Sequence, residues 1–292
     1  MVLRPPVVPM LAQARDTVPA PGALPGELRF QPKFDGYRVL VFAPWPAPGP
    51  LLLQSRRGSL LQDRFPEIVA AAAHLSDGLV LDGELIVWAE DKISFEALQR
   101  RAVSGGRTAA RLAQEMPAHF IAFDLLQLDG QELLHVPYGE RRARLEHPFT
   151  DRGLSAPWTL CPKTTEVATA QEWLASWTQV PGVEGLVIRG SGQRYLPGAR
   201  ALYKVRRRDT TEAVIGAITG MPPTTCDAGR LTGTVSGSGV DHEGRAELEV
   251  LPGVEPGPRF TGASPSGTLR RPIRPARRPL SCRDWQQLPD RH

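Results

Sequence analysis

Lysine is nearly absent from this chain: Lys33, Lys92, Lys163 and Lys204 stand against thirty-one arginines. Cysteine is scarce too. Cys161, Cys226 and Cys282 are far apart and odd in number, which fits neither a disulfide framework nor a zinc site and makes a reducing cytoplasm the expected home. No run approaches the roughly 18 to 20 apolar residues that a membrane span needs. The N-terminal stretch "MVLRPPVVPMLAQARDTVPAPG" is broken by prolines and has no continuous apolar centre, so no secretory signal is expected. There is no internal repeat and little net charge. The balance of +4 at pH 7 permits a polyanionic partner without demanding one.

What is present is ordinary for a soluble globular protein, 41% hydrophobic and 23% charged. The 292 residues leave room for two domains, or for one large domain and an appendage. From residue 28 to about 208, strand-like runs alternate with helical patterns. "YRVLVFA", "LLLQSR", "HFIAFDLLQL", "EGLVIRG" and "ALYKVRRR" predict strands, and "RFPEIVAAAAHL", "FEALQRRAV" and "TAQEWLASW" predict helices. "GLVLDGELIVW" is apolar on both sides of an Asp-Gly-Glu. This order predicts an α+β domain with mainly antiparallel sheets and flanking helices.

Past Arg208 the composition shifts. Residues 209–258 hold two arginines against eight acids, whereas residues 259–292 hold eight arginines against two acids. "TEAVIGAITG" starts as a strand, then glycine, proline, serine and threonine dominate. The final segment has no sustained period and is expected to be disordered. The expected division is therefore 1–208, 209–258 and a basic Pro/Arg-rich tail, 259–292.

The scarcity of lysine gives Lys33 its interest. A composition rich in Arg, Ala, Pro and Gly points to GC-rich coding DNA, in which surface cations drift to arginine. A lysine kept under that bias is a candidate for chemistry that arginine cannot do: the guanidinium stays protonated, whereas an amine can lose its proton and attack an electrophile. Other small polar motifs also sit at the ends of apolar strands, where a sheet can aim them into one cleft. They are Lys33-Phe34-Asp35-Gly36-Tyr37-Arg38, Ser55-Arg56-Arg57-Gly58, Asp82-Gly83-Glu84, Phe123-Asp124, Glu184-Gly185 and Lys204-Val205-Arg206. Each alone has a plainer reading. Asp-Gly is usually a turn, Glu-Gly a loop exit, Phe123 a core residue and "YKVRRR" a solvated strand end.

In this order and spacing the set resembles the covalent nucleotidyltransferases, which include ATP-dependent DNA ligases, RNA ligases and mRNA capping enzymes. The nucleophile motif Lys-x-Asp-Gly-x-Arg matches at Lys33, Asp35, Gly36 and Arg38, and the later motifs follow in sequence order. "PMLA" (Pro9 to Ala12) and Phe-Asp-Leu-Leu at Phe123 resemble bacterial ATP-dependent DNA ligases in particular. The resemblance covers roughly residues 5 to 220.

It implies a nucleotidyltransferase (adenylation) domain, with Lys33, Arg38 and Lys204 as catalytic residues. It also implies ATP contacts from Gln31, Lys33, Arg38, Arg56, Glu84, Phe123, Lys204 and Arg206. Glu84 would accept from the ribose, and Phe123 would stack on adenine. Glu184, with Glu84, would hold Mg²⁺ or Mn²⁺. Asp35 is expected to orient the nucleophile loop. The expected substrates are ATP and nicked double-stranded DNA, the expected state a monomer, and the expected location a bacterial cytoplasm, close to the nucleoid.

Two departures from the family pattern stand out. The second cation of the Lys-x-Lys motif is Arg206. The C-terminal part would be a partial or degenerate OB-fold-like region, with no clear late Arg/Lys motif after Lys204. An out-of-frame origin would also account for such a tail. Two alternatives to a sealing ligase follow: a nick-binding or adenylation-only protein, and an RNA ligase or capping-type guanylyltransferase, which labelling by ATP against GTP would separate.

Overall fold

The computed structural model describes residues 2–206, apart from Asp91 and Arg152. In chain order the strands and helices are β1 (Leu11–Arg15), β2 (Leu28–Phe34), β3 (Tyr37–Phe42), β4 (Leu52–Ser55), α1 (Pro66–Ala70), β5 (Val80–Ala89), β6 (Lys92–Ile93), α2 (Phe95–Val103), α3 (Gly106–Glu115), β7 (Ala118–Leu128), β8 (Gln131–Glu132), α4 (Tyr138–Asp151), β9 (Trp158–Leu160), α5 (Val167–Ser176), β10 (Val183–Gly190) and β11 (Arg200–Arg206). The expected OB-like region and basic tail, and the boundaries drawn for them, lie outside the described residues. Among the described residues no helix is long and apolar enough to cross a membrane.

The strands form two sheets. One runs β1-β11-β10-β2, and the other β4-β3-β5-β7-β8, with β6 beside β5 and β9 beside β7. Among the described residues only the β1–β11 and β7–β9 pairs are parallel, so the expectation of mainly antiparallel sheets holds for them. Period-two alternation explains why the central strands are buried on both faces. Val39 and Val41 of β3 face a core that also takes in Phe65, Ile68, Leu98, Phe120 and Trp158, beneath α1 and α2. Leu40 and Phe42 face the opposite way, into a cluster with Met10, Tyr195 and Leu202. The first sheet has its own core, in which Phe30, Leu186, Ile188 and Val205 pack against Ala170 of α5. Strands buried on both faces read as near-continuous apolar runs, which is why "HFIAFDLLQL" and "EGLVIRG" were legible.

Local chemistry sets the helix ends. Ser94 caps α2 by accepting from the Ala97 amide at 3.2 Å. The predicted helix "RFPEIVAAAAHL" is shorter than its pattern, because α1 passes into a 3-10 turn at Ala71–His74. β1, α3 and α4 lie outside the patterns that sequence reasoning picked out, and α4 even carries Pro148.

The step between the sheets matters most for function. β2 lies in the first sheet and β3 in the second, so Asp35-Gly36 carries the chain across. The Asp35 amide donates to the Gly182 carbonyl at 2.8 Å. A Cβ on Gly36 would stand 2.4 Å from the Leu85 carbonyl oxygen, which leaves room only for glycine. Lys33 and Arg38, five residues apart, thus face one gap from different sheets.

Candidate active site

That gap is a cleft of about 180 Å³. Its walls include Gln31, Lys33, Arg38, Arg56, Glu84, Phe123 and Lys204, seven of the residues expected from sequence. Glu184 and Arg206 join it at the rim. Lys33 Nζ is ion-paired with a Glu184 carboxylate oxygen and lies 3.4 Å from the Phe34 carbonyl. Arg206 reaches the same Glu184 oxygen at 3.1 Å. Strand register produces this cluster, because Gly185 of β10 stands opposite Lys33 of β2 on one side and Arg206 of β11 on the other. Gly185 has φ +151°, and a Cβ there would lie 2.0 Å from the Val205 carbonyl oxygen. The strand carrying Glu184 can therefore approach β11 closely only without a side chain at this position.

The rim is electrostatically tense. Burial, together with the negative charge of Glu184, pushes the Asp35 carboxyl above its usual range, and Lys33 and Arg206 partly oppose this. Lys204 moves the other way. Burial and the neighbouring cations Arg206, Lys33 and Arg56 lower its pKa, with Glu184 opposing.

Further in, Arg38 makes a two-pronged ion pair with Asp82, at 2.8 and 2.6 Å. The Tyr195 hydroxyl donates to the same carboxylate at 2.8 Å. Burial would lower the Arg38 pKa, but the charge and hydrogen bonds of Asp82 outweigh it and hold it above its ordinary value. Asp82 is 0% exposed, so the Asp of Asp82-Gly83-Glu84 is an anchor for Arg38 in mid-strand rather than part of a turn. Glu84, two residues on and on the same face of β5, is half-buried. Burial pushes its carboxyl up to about 7, against the pull of Arg38 and Lys33.

Phe123 has two guanidinium groups near its ring, Arg38 at 5.1 Å and Arg189 at 5.0 Å from the centroid. Its neighbour Asp124 is fully buried and holds both Arg141, at 2.8 and 2.9 Å, and Arg189, at 3.1 Å. Arg189 Nε donates in turn to Gln31 Oε1 at 3.0 Å. Sequence reasoning missed Arg189, Arg141 and Tyr195. Their only signal was a charged or polar residue beside an apolar run, which normally marks a solvated strand or helix end. Cys161 also lines the cleft. Burial pushes its thiol up to about 12, which favours the neutral thiol over the thiolate.

Residues 9–206 match the family model of the ATP dependent DNA ligase domain. This chain belongs to the ATP-dependent DNA ligase family. The ligase domain is 36% identical over 212 residues to DNA ligase C2 of Mycolicibacterium smegmatis, covering 72% of this chain and 56% of that protein. It is 35% identical over 214 residues to DNA ligase C of Mycobacterium tuberculosis, covering 72% and 57%. Among solved structures it is similar to a mycobacterial DNA ligase D complexed with ATP and MES, at 30% identity and a TM-score of 0.54, covering 70% of this chain and 61% of that one. The ligase domain thus spans a little over half the length of the curated relatives it matches.

Proposed function

We propose that this protein seals nicks in duplex DNA using ATP, with Lys33 as the covalent carrier of AMP. The observation that carries the reading is the placement of Lys33 at the rim of the cleft, paired with Glu184 and close to Lys204 and Arg206. In the first step the neutral Lys33 amine attacks the α-phosphorus of ATP. A nitrogen–phosphorus bond forms, the bond to pyrophosphate breaks, and the amine proton leaves. In the second step the 5′-phosphate at the nick takes AMP from Lys33. In the third the 3′-hydroxyl attacks that phosphate, releases AMP and closes the strand.

The residues divide this work by position. Lys204, Arg206 and Arg56 set positive charge beside the phosphates, where negative charge builds during transfer. Arg38 is held rigid by Asp82. Glu84 accepts from the ribose, while Phe123 offers its ring to the adenine. Asp35 orients the turn that presents Lys33. Among the described residues no three His, Cys, Asp or Glu side chains cluster as a metal cage. The reading calls for Mg²⁺, which takes one or two carboxylates together with phosphate oxygens and water. Glu184 and Glu84 are the carboxylates that would hold it, and the ion would neutralise phosphate charge.

DNA would be held chiefly through its phosphates, so binding should weaken with salt, and the protein should act as a monomer. The test is intact-protein mass after incubation with ATP and Mg²⁺, followed by a chase with nicked duplex. One AMP adduct that disappears on the chase, with a sealed strand appearing, supports the reading. Protein freed of AMP that gains no adduct overturns it.

A further inference from the structure

Outside the nucleotide cleft, a second cavity of about 160 Å³ lies beside α4. Its walls include Arg29, Tyr138, Arg142, Glu146 and Lys163, none of which lines the cleft. Arg142 is 3% exposed. Arg29, Glu146 and Lys163 are half-buried and Ala143 beside them is exposed, so the cavity opens to solvent. One carboxylate serves two cations here. Glu146 Oε1 accepts from Arg142 Nε at 2.7 Å and from Lys163 Nζ at 2.6 Å. Burial would raise the Glu146 pKa, but these two hydrogen bonds outweigh it and lower it, so the carboxylate stays ionised near neutral pH. Arg29, 2.9 Å from Glu27, brings a third positive charge to the wall.

Arg142 has a nitrogen to spare. Its Nη2 donates to the Cys161 carbonyl at 2.6 Å, but no described residue accepts from its buried Nη1. A guanidinium can only donate, and a buried donor without a partner costs free energy until something accepts from it. The backbone that opens α4 adds nothing, because the Tyr138 and Gly139 amides are taken by the Gln193 and Ser191 carbonyls at 2.8 and 2.7 Å. The cavity is short of an acceptor and of negative charge, and its donors are side chains. We infer that it holds a single phosphate group, with Arg142 Nη1 donating from the buried side and Arg29 and Lys163 from the open side. Donors on several walls suit a tetrahedral oxyanion, and Arg and Lys bind phosphate through charge-assisted hydrogen bonds. The site goes beyond the ligase reading and does not depend on the chemistry of Lys33. It backs onto the cleft all the same: the Tyr138 hydroxyl donates to the Phe123 carbonyl at 3.4 Å, and Cys161, held by Arg142, lines the cleft. The phosphate has two sources, a free phosphate ion or the backbone of bound DNA.

The test titrates the full chain with inorganic phosphate by calorimetry, in the unaltered protein and in three variants. Lys204→Ala removes a cation of the cleft, so phosphate taken up there is told apart from phosphate in the cavity. The unaltered protein should bind one phosphate that Lys204→Ala retains. Arg29→Gln should bind it about 10-fold more weakly, the scale of one hydrogen bond to a charged group. Glu146→Gln removes the competing negative charge and should bind it about 10-fold more tightly. A purely structural role for these residues would not move the two variants in opposite directions. If the phosphate comes from DNA instead, free phosphate is not taken up, and the salt dependence of nicked-duplex binding loses about one unit of slope in Arg29→Gln. Lys163→Gln replaces Arg29→Gln should that variant not fold. No phosphate uptake together with an unchanged slope overturns the inference. So does uptake that only Lys204→Ala abolishes, or uptake of equal affinity in the unaltered protein and the cavity variants.

Discussion

Lys33 and Glu184 are ion-paired although 151 residues separate them in sequence, and Arg206 holds the same carboxylate from the other side at 3.1 Å. The proposed first step needs that amine neutral and free to attack, so Lys33 would have to give up this pairing before the adduct forms. Lys33→Ala should abolish the AMP adduct, whereas Glu184→Ala should slow it by about 100-fold or more, the scale of losing one preorganised electrostatic group. Intact-mass time courses with ATP and Mg²⁺ measure both. An undiminished adduct in Lys33→Ala would exclude the proposed chemistry.

Glu84 should make nucleotide affinity depend on pH. Its carboxyl is pushed up to about 7 by burial, so it is mostly neutral at pH 6 and mostly ionised at pH 8. Only the ionised form accepts freely from ribose hydroxyls. The KM for ATP in adduct formation should fall as pH rises through about 7, and Glu84→Gln should flatten that fall. A pH profile that is the same in both proteins would show that Glu84 is not the titrating group.

Asp124 is the hub of the buried polar network, holding Arg141 and Arg189 at once. Asp124→Ala leaves two buried guanidinium groups without their carboxylate. It should cost about 3–5 kcal/mol of stability, the usual penalty for breaking a buried pair on one side. Urea unfolding of the purified protein gives the number. A loss under about 1 kcal/mol would mean that the arginines find other partners easily.

Gly185→Ala should damage the site through the backbone. The added methyl meets the Val205 carbonyl oxygen and the Arg206 Cα, at 2.0 and 2.8 Å, and neither is the movable end of a side chain. β10 and β11 must part where they bring Glu184 and Arg206 together. Adduct formation should fall sharply, and the midpoint of thermal unfolding should drop as well. Gly22→Ala serves as the control, because nothing lies within 4 Å of the methyl it would add, although Gly22 also has positive φ, at +83°.

The candidate site residues stood out in the sequence because their motifs follow one another in the order and spacing of a known family. Lys33, Glu84, Phe123 and Lys204 all lie on strands; the runs around Phe123 and Lys204 were predicted as strands, and β2, which carries Lys33, was not. α2 was legible to its ends because a serine cap and an amphipathic run coincide. α4 was not, since arginines at 0% and 3% exposure, Arg141 and Arg142, form part of its buried face and erase the apolar stripe that marks a helix.

By itself, then, the sequence determined which residue types could do phosphoryl chemistry here and the order in which the chain presents them. Only the tertiary structure decided which of them meet. Pairing β2 with β10 and β10 with β11 brought Lys33, Glu184 and Arg206 to one point, and burying Asp124 set Arg189 between it and Gln31. Those relationships depend on strand register and on which polar groups lose water together. Both are properties of contacts between distant segments, and no local stretch of sequence records them.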